Sequence, residues 1–244
     1  MHLAVLITNT DDSDFAARHP NDAEKFRSLI QTRRPDWTIS SFALPFGIYP
    51  ANLSDFDGYI IGGSPASVHD QAEWIDWLMQ AIPEIVALNR PLFGACFGHQ
   101  AIARALGGTV GHNPNGWAFG VTRTEVQTPA PWMTEPPGRL RLNAAHSEQV
   151  TGLPTGAELI GGNADCPVGF YRFGTGVFAT QYHPEFTDAF AAALVAHYAA
   201  DLPAAVAARA RESLAGLADT ERMAGWIIGF FEQAGDGQAR HGKH

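Results

Sequence analysis

Gly94-Ala95-Cys96-Phe97-Gly98-His99-Gln100 sets a thiol between small residues, after a short apolar run and before a helical pattern. A nucleophile at such a strand-to-helix turn stands on a sharp bend with its side chain exposed above the sheet edge. Small neighbours let the backbone turn and let substrate approach, which is the mechanics of the G-x-S-x-G elbow with Cys in place of Ser. The following helix points its positive end at the sulfur, favouring thiolate. It also offers unpaired N–H groups, such as that of Phe97, to a developing oxyanion. A lone cysteine is more often a small buried hydrophobe. Gly94 and Gly98 weigh against that here, because a glycine-rich turn at the carboxyl end of a parallel strand is where α/β sheets place ligands.

A thiol nucleophile needs a base, and the base an orienting partner. Among ten histidines, His183 in Tyr182-His183-Pro184-Glu185 is the best candidate, because residues 176–181 read as a strand that delivers it. In an extended segment residues i and i+2 point the same way, and Pro184 favours an extended residue before it. Glu185 can then accept the imidazole N–H and fix the tautomer. Taken alone, the tripeptide is a weak signal and reads better as a surface turn opening a helix. His99, beside Cys96, and His146, in Ala144-Ala145-His146-Ser147-Glu148, are rival bases.

The elements around these residues alternate in the first half of the chain. Strands are expected at 3–7, 37–44, 58–61 and 91–95, and helices at 21–34, 72–89 and 97–106, with Pro83 kinking or splitting the second helix and Gly107-Gly108 closing the third. Uninterrupted apolar strands in a βαβ rhythm predict a parallel sheet covered on both faces. From 108 to 181 short strands punctuated by Gly, Pro and Asn replace the helices, with candidates at 120–126, 139–144, 157–161, 169–173 and 176–181. They fit antiparallel additions to the main sheet. Helices return at 187–200, 204–217 and 220–234, followed by ten residues that read as a polar tail.

The chain has 244 residues, 45% of them hydrophobic and only 17% charged, with net charge −9. This composition fits a compact body rather than a disordered one. The acidic balance opposes a role on nucleic acid or an anionic membrane, both of which call for clustered Lys and Arg. Cys96 and Cys166 cannot build a disulfide or metal framework and suit a reducing compartment. The start, MHLAVLITNTDDSD, reads as a first strand rather than a signal peptide, and no apolar run is long enough to span a bilayer. A soluble, cytoplasmic protein is expected, with one domain over 1–234: a core over 1–200 and a helical extension over 201–234.

G-x-C-x-G-x-Q on an elbow with H-P-E following 87 residues after the cysteine (183 − 96) resembles the class I, triad-type glutamine amidotransferase family. Gly62-Gly63-Ser64-Pro65 is similar to its G-G-x-P oxyanion loop, and His146-Ser147-Glu148 to its glutamine-holding segment. The likeness runs in order over about residues 3–200 and suggests a stand-alone member like a GMP-synthase amidotransferase or a γ-glutamyl peptidase. It implies a flavodoxin-like open sheet, mostly parallel, flanked by helices. It further implies Cys96 as nucleophile, His183 as base, Glu185 as orienter, and Gly63 and Phe97 N–H groups as the oxyanion hole. Gln100 and the Ser147–Glu148 backbone would hold the γ-glutamyl group. The substrate would be a small molecule, glutamine or another γ-glutamyl compound, with neither metal nor organic cofactor. One departure is Ala118, where many members carry Glu.

Family members commonly pass ammonia to a synthetase, and nothing in the chain resembles an acceptor domain. Residues 237–243 only superficially resemble a phosphate loop, since no strand precedes them and the Ser/Thr is missing. Gly174-Thr175-Gly176 reads as a hairpin turn, Asn52-Leu53-Ser54 as an unused glycosylation sequon, and Cys166-Pro167 as structural. Three functions are thus expected to compete: a glutaminase-type amidotransferase serving a separate synthetase subunit, a stand-alone γ-glutamyl peptidase or hydrolase, and a catalytically silent binding or regulatory protein. The apolar face of Met223, Trp226, Ile227 and Phe230 suits either a partner surface or ordinary packing.

Overall fold

A computed structural model describes residues 1–134, 138–235 and the backbone of 236–241. In chain order the elements are β1 (His2–Ile7), α1 (Asp14–Ala17), α2 (Asp22–Gln31), β2 (Thr38–Ala43), β3 (Gly58–Ile61), α3 (Glu73–Ala87), β4 (Leu92–Ala95) and α4 (Phe97–Ala105). Then come β5 (Thr109–His112), β6 (Ala118–Val126), β7 (Arg139–His146), β8 (Glu148–Gly152), β9 (Ala157–Gly162), β10 (Phe170–Phe173) and β11 (Val177–Thr180). Helices α5 (Asp188–Tyr198), α6 (Ala204–Ser213) and α7 (Thr220–His241) end the described chain.

Nine strands form one sheet in the order β2-β1-β3-β4-β11-β10-β9-β6-β7. The first five run parallel and the rest antiparallel, so the open, helix-flanked sheet with antiparallel additions is as expected. Alternation along the central strands divides the interior into two layers. Leu3, Val5, Ile60, Phe93 and Phe178 pack with α2 and α7 on one face. Ala4, Leu6, Tyr59, Ile61 and Leu92 pack with α3 and α4 on the other. Burial on both faces explains why these strands are continuously apolar.

Local chemistry sets the ends of several elements. Asn21 and Glu24 form a reciprocal capping box on α2, and Ser13 and Thr187 cap α1 and α5. Gly107, at φ +93°, ends α4, and Gly174, at φ +56°, makes the tight β10–β11 turn.

Three features depart from the sequence reading. Pro83 does not split α3, because the burial of Ile75, Leu78, Ile82 and Ile85 holds it as one helix despite the lost backbone bond. A separate two-stranded ribbon, β5 with β8, was not foreseen. Helix α7 reaches His241, through most of the segment read as a polar tail, while residues 242–244 lie outside the described residues. Met223, Trp226, Ile227 and Phe230 are wholly buried against the sheet, so that face packs the core. Among the described residues no helix is long and apolar enough to cross a membrane.

Because β1 pairs with β2 on one side and β3 on the other, the connections leave the sheet in opposite directions there. A crevice opens beyond the carboxyl ends of such strands. Thr8, Gly62-Gly63, Cys96 and Gln181-Tyr182-His183 follow β1, β3, β4 and β11 respectively, and so converge on that one edge.

Candidate active site

Cys96 caps α4 immediately after β4 with φ +50° and ψ −105°. This left-handed conformation is costly for a residue with a side chain and persists only where the surroundings impose it. Here the Cys96 N–H donates to the Thr180 carbonyl at 2.9 Å, and its own carbonyl accepts from Gln100 N–H at 3.1 Å. The flanking glycines are required by close backbone approach. A Cβ on Gly98 would lie 2.3 Å from the Ile61 carbonyl oxygen, and one on Gly94 would lie 2.7 Å from the Gly98 backbone. The Gly98 N–H also donates to the Gly62 carbonyl at 3.0 Å, tying the elbow to the loop after β3. Thr8 donates to the Gly62 and Gly63 carbonyls, pinning that loop from the other side.

The sulfur is nearly buried, with the Gln181 amide at 3.7 Å and the Ala145 carbonyl at 4.0 Å. Phe97 is the first residue of α4, so its N–H is one of those a helix leaves without an internal partner. Cys166, the second thiol, is buried and is pushed up to about 12, first by burial and then by the Cys96 charge.

His183 is held by its backbone N–H, which donates to the Asn143 carbonyl of β7 at 2.9 Å. Its Nδ1 lies 2.8 Å from Glu185 Oε1, with both side chains buried. A carboxylate only accepts, so Nδ1 carries the proton of that bond. The ring stacks on Phe186 with centroids 4.1 Å apart. Nε2 makes no well-formed hydrogen bond to the protein, and Cys96 is a charge partner of the ring. Burial opposes the imidazolium, but the Cys96 and Glu185 charges outweigh it and raise His183 to about 10. Gly63 packs directly on this ring.

The rivals are placed differently. His99 is fully buried, stacked at a tilt on Tyr171, and burial lowers it to about 3. Neither of its ring nitrogens makes a well-formed hydrogen bond, although the Ala179 and Val168 carbonyls are near. His146 lies 3.0 Å from the Glu148 carbonyl through Nδ1 and is lowered to about 4 by burial, so it stays neutral. It lines the smaller cavity at Cys96.

Two cavities meet at Cys96. One, of about 220 Å³, is lined by Ser64, Ser67, Gln100, Ser147 and Glu148. The residues expected to hold a γ-glutamyl group therefore share one pocket. Gln100 Nε2 is already engaged there, donating to the Glu148 carbonyl at 2.8 Å and to Gln181 at 3.3 Å. The Glu148 carboxylate accepts from Ser67 at 2.8 Å and so ties β8 to the loop after β3. The other cavity, of about 560 Å³, is lined by Phe15, Trp117, Phe119, Phe186 and Phe190, with His183 and Glu185 in its wall. Gln181, Phe186 and Thr8 had no recognisable signal in the sequence, because their roles arise from contacts across the sheet edge. A thiol at a strained elbow, a carboxylate-bound imidazole and N–H donors at a helix start form a set suited to acyl transfer.

Comparison with known proteins bears on this arrangement. Gamma-glutamyl peptidase 4 of Arabidopsis thaliana is 29% identical over 190 residues, 75% of each chain. A glutamine-hydrolysing GMP synthase of Exiguobacterium sibiricum is 29% identical over 167 residues, 66% of this chain and 31% of the longer relative. The solved structure of a glutamine amidotransferase from Thermotoga maritima has a TM-score of 0.73 at 18% identity, covering 96% of this chain and 98% of that one, a likeness of fold. The family model for class-I glutamine amidotransferases matches residues 35–193. That span holds β3, β4, α4 and β11 and every residue discussed above from Gly62 to Phe190, and the chain belongs to the glutamine amidotransferase class-I family.

Proposed function

We propose that the protein hydrolyses a γ-glutamyl amide through a thioester on Cys96. The His183 imidazolium already holds the proton given up by the Cys96 thiol, and the thiolate attacks the side-chain amide carbon. The carbonyl oxygen becomes an oxyanion within reach of the Gly63 and Phe97 N–H groups. The intermediate collapses as the C–N bond breaks, and the His183 imidazolium delivers its proton to the departing nitrogen. Water, activated by the same imidazole, then cleaves the C–S bond and releases glutamate and the thiol. Glu185 orients the ring and supports the imidazolium.

The observation that carries this reading is the 2.8 Å His183–Glu185 bond beside the strained Cys96 elbow, with both residues in the wall of one cavity with Cys96. The test is glutamate release by the purified protein from glutamine and from γ-glutamyl amides. Cys96→Ala is expected to abolish it, and equal turnover by that variant would falsify the mechanism.

Glutamine hydrolysis in service of a separate synthetase and free-standing γ-glutamyl hydrolysis share this chemistry. The GMP synthase relatives support the first, and the Arabidopsis γ-glutamyl peptidases the second. The assembled Cys96, His183 and Glu185 weigh against a silent binding protein. Both cysteines are free thiols, which supports a cytoplasmic setting.

A further inference from the structure

Cys96 lines two adjoining cavities, but His183 lines only one of them. The smaller is bordered by serines, Gln100 and Glu148. The larger, about 560 Å³, has aromatic walls from Phe15, Phe119, Phe186 and Phe190, backed by Leu194 on α5. An acid that protonates a departing nitrogen must stand on the side to which that nitrogen leaves. The wall containing His183 therefore marks the leaving-group side, and the polar pocket falls to the acyl group. Ammonia would not use an aromatic cleft of this size.

The charges of the cleft narrow the occupant further. Asp11, Asp12, Asp22, Asp201 and Glu185 all border it. Lys25, the one lysine in its lining, is held 3.0 Å from Asp22 and lies over the Phe190 ring at 4.0 Å. No arginine lines it among the described residues. A leaving group carrying a carboxylate would meet mostly like charges, since Lys25 is engaged by Asp22 and His183 by Glu185, which leaves His19 as the other basic side chain in the lining.

We infer that the protein prefers γ-glutamyl amides of bulky apolar amines without a carboxylate, whose amine portion lies between Phe15, Phe119 and Phe190. The inference rests on the hydrolytic reading above. The reaction is unchanged: the amide C–N bond breaks, the amine leaves with the His183 proton, and water completes glutamate.

The test compares kcat/KM for four substrates: glutamine, γ-glutamyl-methylamide, γ-glutamyl-phenethylamide and γ-glutamyl-phenylalanine. The phenethylamide is expected to exceed both the methylamide and γ-glutamyl-phenylalanine by about tenfold or more, the scale on which apolar pockets and unmatched charges discriminate. Leu194→Trp, which fills the cleft, should lower the phenethylamide-to-methylamide ratio about tenfold. Phe190→Ala, which only removes a wall, gives a second reading of the same ratio should the larger side chain not fold. Turnover of glutamine with no preference for the phenethylamide, or with γ-glutamyl-phenylalanine equal to it, overturns the inference and leaves the hydrolytic reading standing. An unchanged ratio in both variants removes the amine from this cleft. Failure of all four substrates overturns both proposals.

Discussion

Gly63 lies so close to His183 that a Cβ on the glycine would sit 2.7 Å from the imidazole Cε1. The loop after β3 thus sets the ring position across 120 residues of sequence (183 − 63). Gly63→Ala must push the ring or the loop, since real Cβ contacts do not approach so closely. Misplacing a catalytic group by about an ångström costs on the order of 100-fold. The expected outcome is a fall of that order in kcat with thermal stability within about 1 kcal/mol of the parent. Steady-state kinetics beside a denaturant titration checks this, and unimpaired kcat would remove Gly63 from the site.

Glu185→Gln keeps the shape beside His183 and removes the charge. Turnover should fall roughly 10²–10⁴-fold, as when an orienting carboxylate is made neutral elsewhere. Stability carries a sign as well. His183 is raised in the folded state to about 10, so its contribution is complete below the ordinary value of 6.5 and is lost as pH rises through 10. The stability deficit of Glu185→Gln should therefore be larger at pH 6 than at pH 10.5. Urea denaturation at the two values decides this, and an equal deficit would contradict the charge assignment.

His99 and His146 act at the other end of the scale. Burial lowers them to about 3 and about 4, so the stability they confer is complete above 6.5 and is lost as pH falls through those values. Each one neutral in the fold adds a slope of about 1.4 kcal/mol per pH unit where only the unfolded chain binds the proton. His99→Leu should flatten the loss of stability between pH 6 and pH 4 by about that slope. Matching urea midpoints in parent and variant at both values would argue against the buried neutral form.

Gly98→Ala would place a methyl group 2.3 Å from the backbone oxygen of Ile61. Backbone cannot move aside as a side chain can, so a loss of about 1–3 kcal/mol or more is expected. A thermal melt measures it, and a variant as stable as the parent would show that the elbow can shift away from β3.

Phe230→Ala tests the role of α7. The side chain is fully buried and contacts Trp132, Phe178 and Phe231 rings. A cost of about 3–5 kcal/mol is expected for a core position, against less than about 1 kcal/mol for a face that only waits for a partner. Denaturant midpoints separate the two.

Much of the parallel half was legible because its signals are local. The 58–61 strand needs only a run of buried apolar residues, and α2 only its capping box and apolar spacing. The β5–β8 ribbon was not legible. Thr109–His112 is short, contains a glycine and gains its partner only 36 residues later, when His112 meets Glu148. Pro83 misled for the opposite reason, since a local rule was outweighed by packing on a face that only the folded chain supplies.

The candidate site divides along the same line. The side-by-side placement of His183 and Glu185 follows from two-residue periodicity around a proline, and the strained turn at Cys96 from two glycines at a strand end. Those relations span a few residues, so backbone geometry transmits them directly from the sequence. Tertiary structure alone decided that Gly63 packs on the His183 ring, that Gln181 reaches the Cys96 sulfur, and that Phe15 and Phe190 wall one cleft. Each of these joins elements whose spacing depends on sheet order and on how helices pack across it, and no local rule along the chain carries that information.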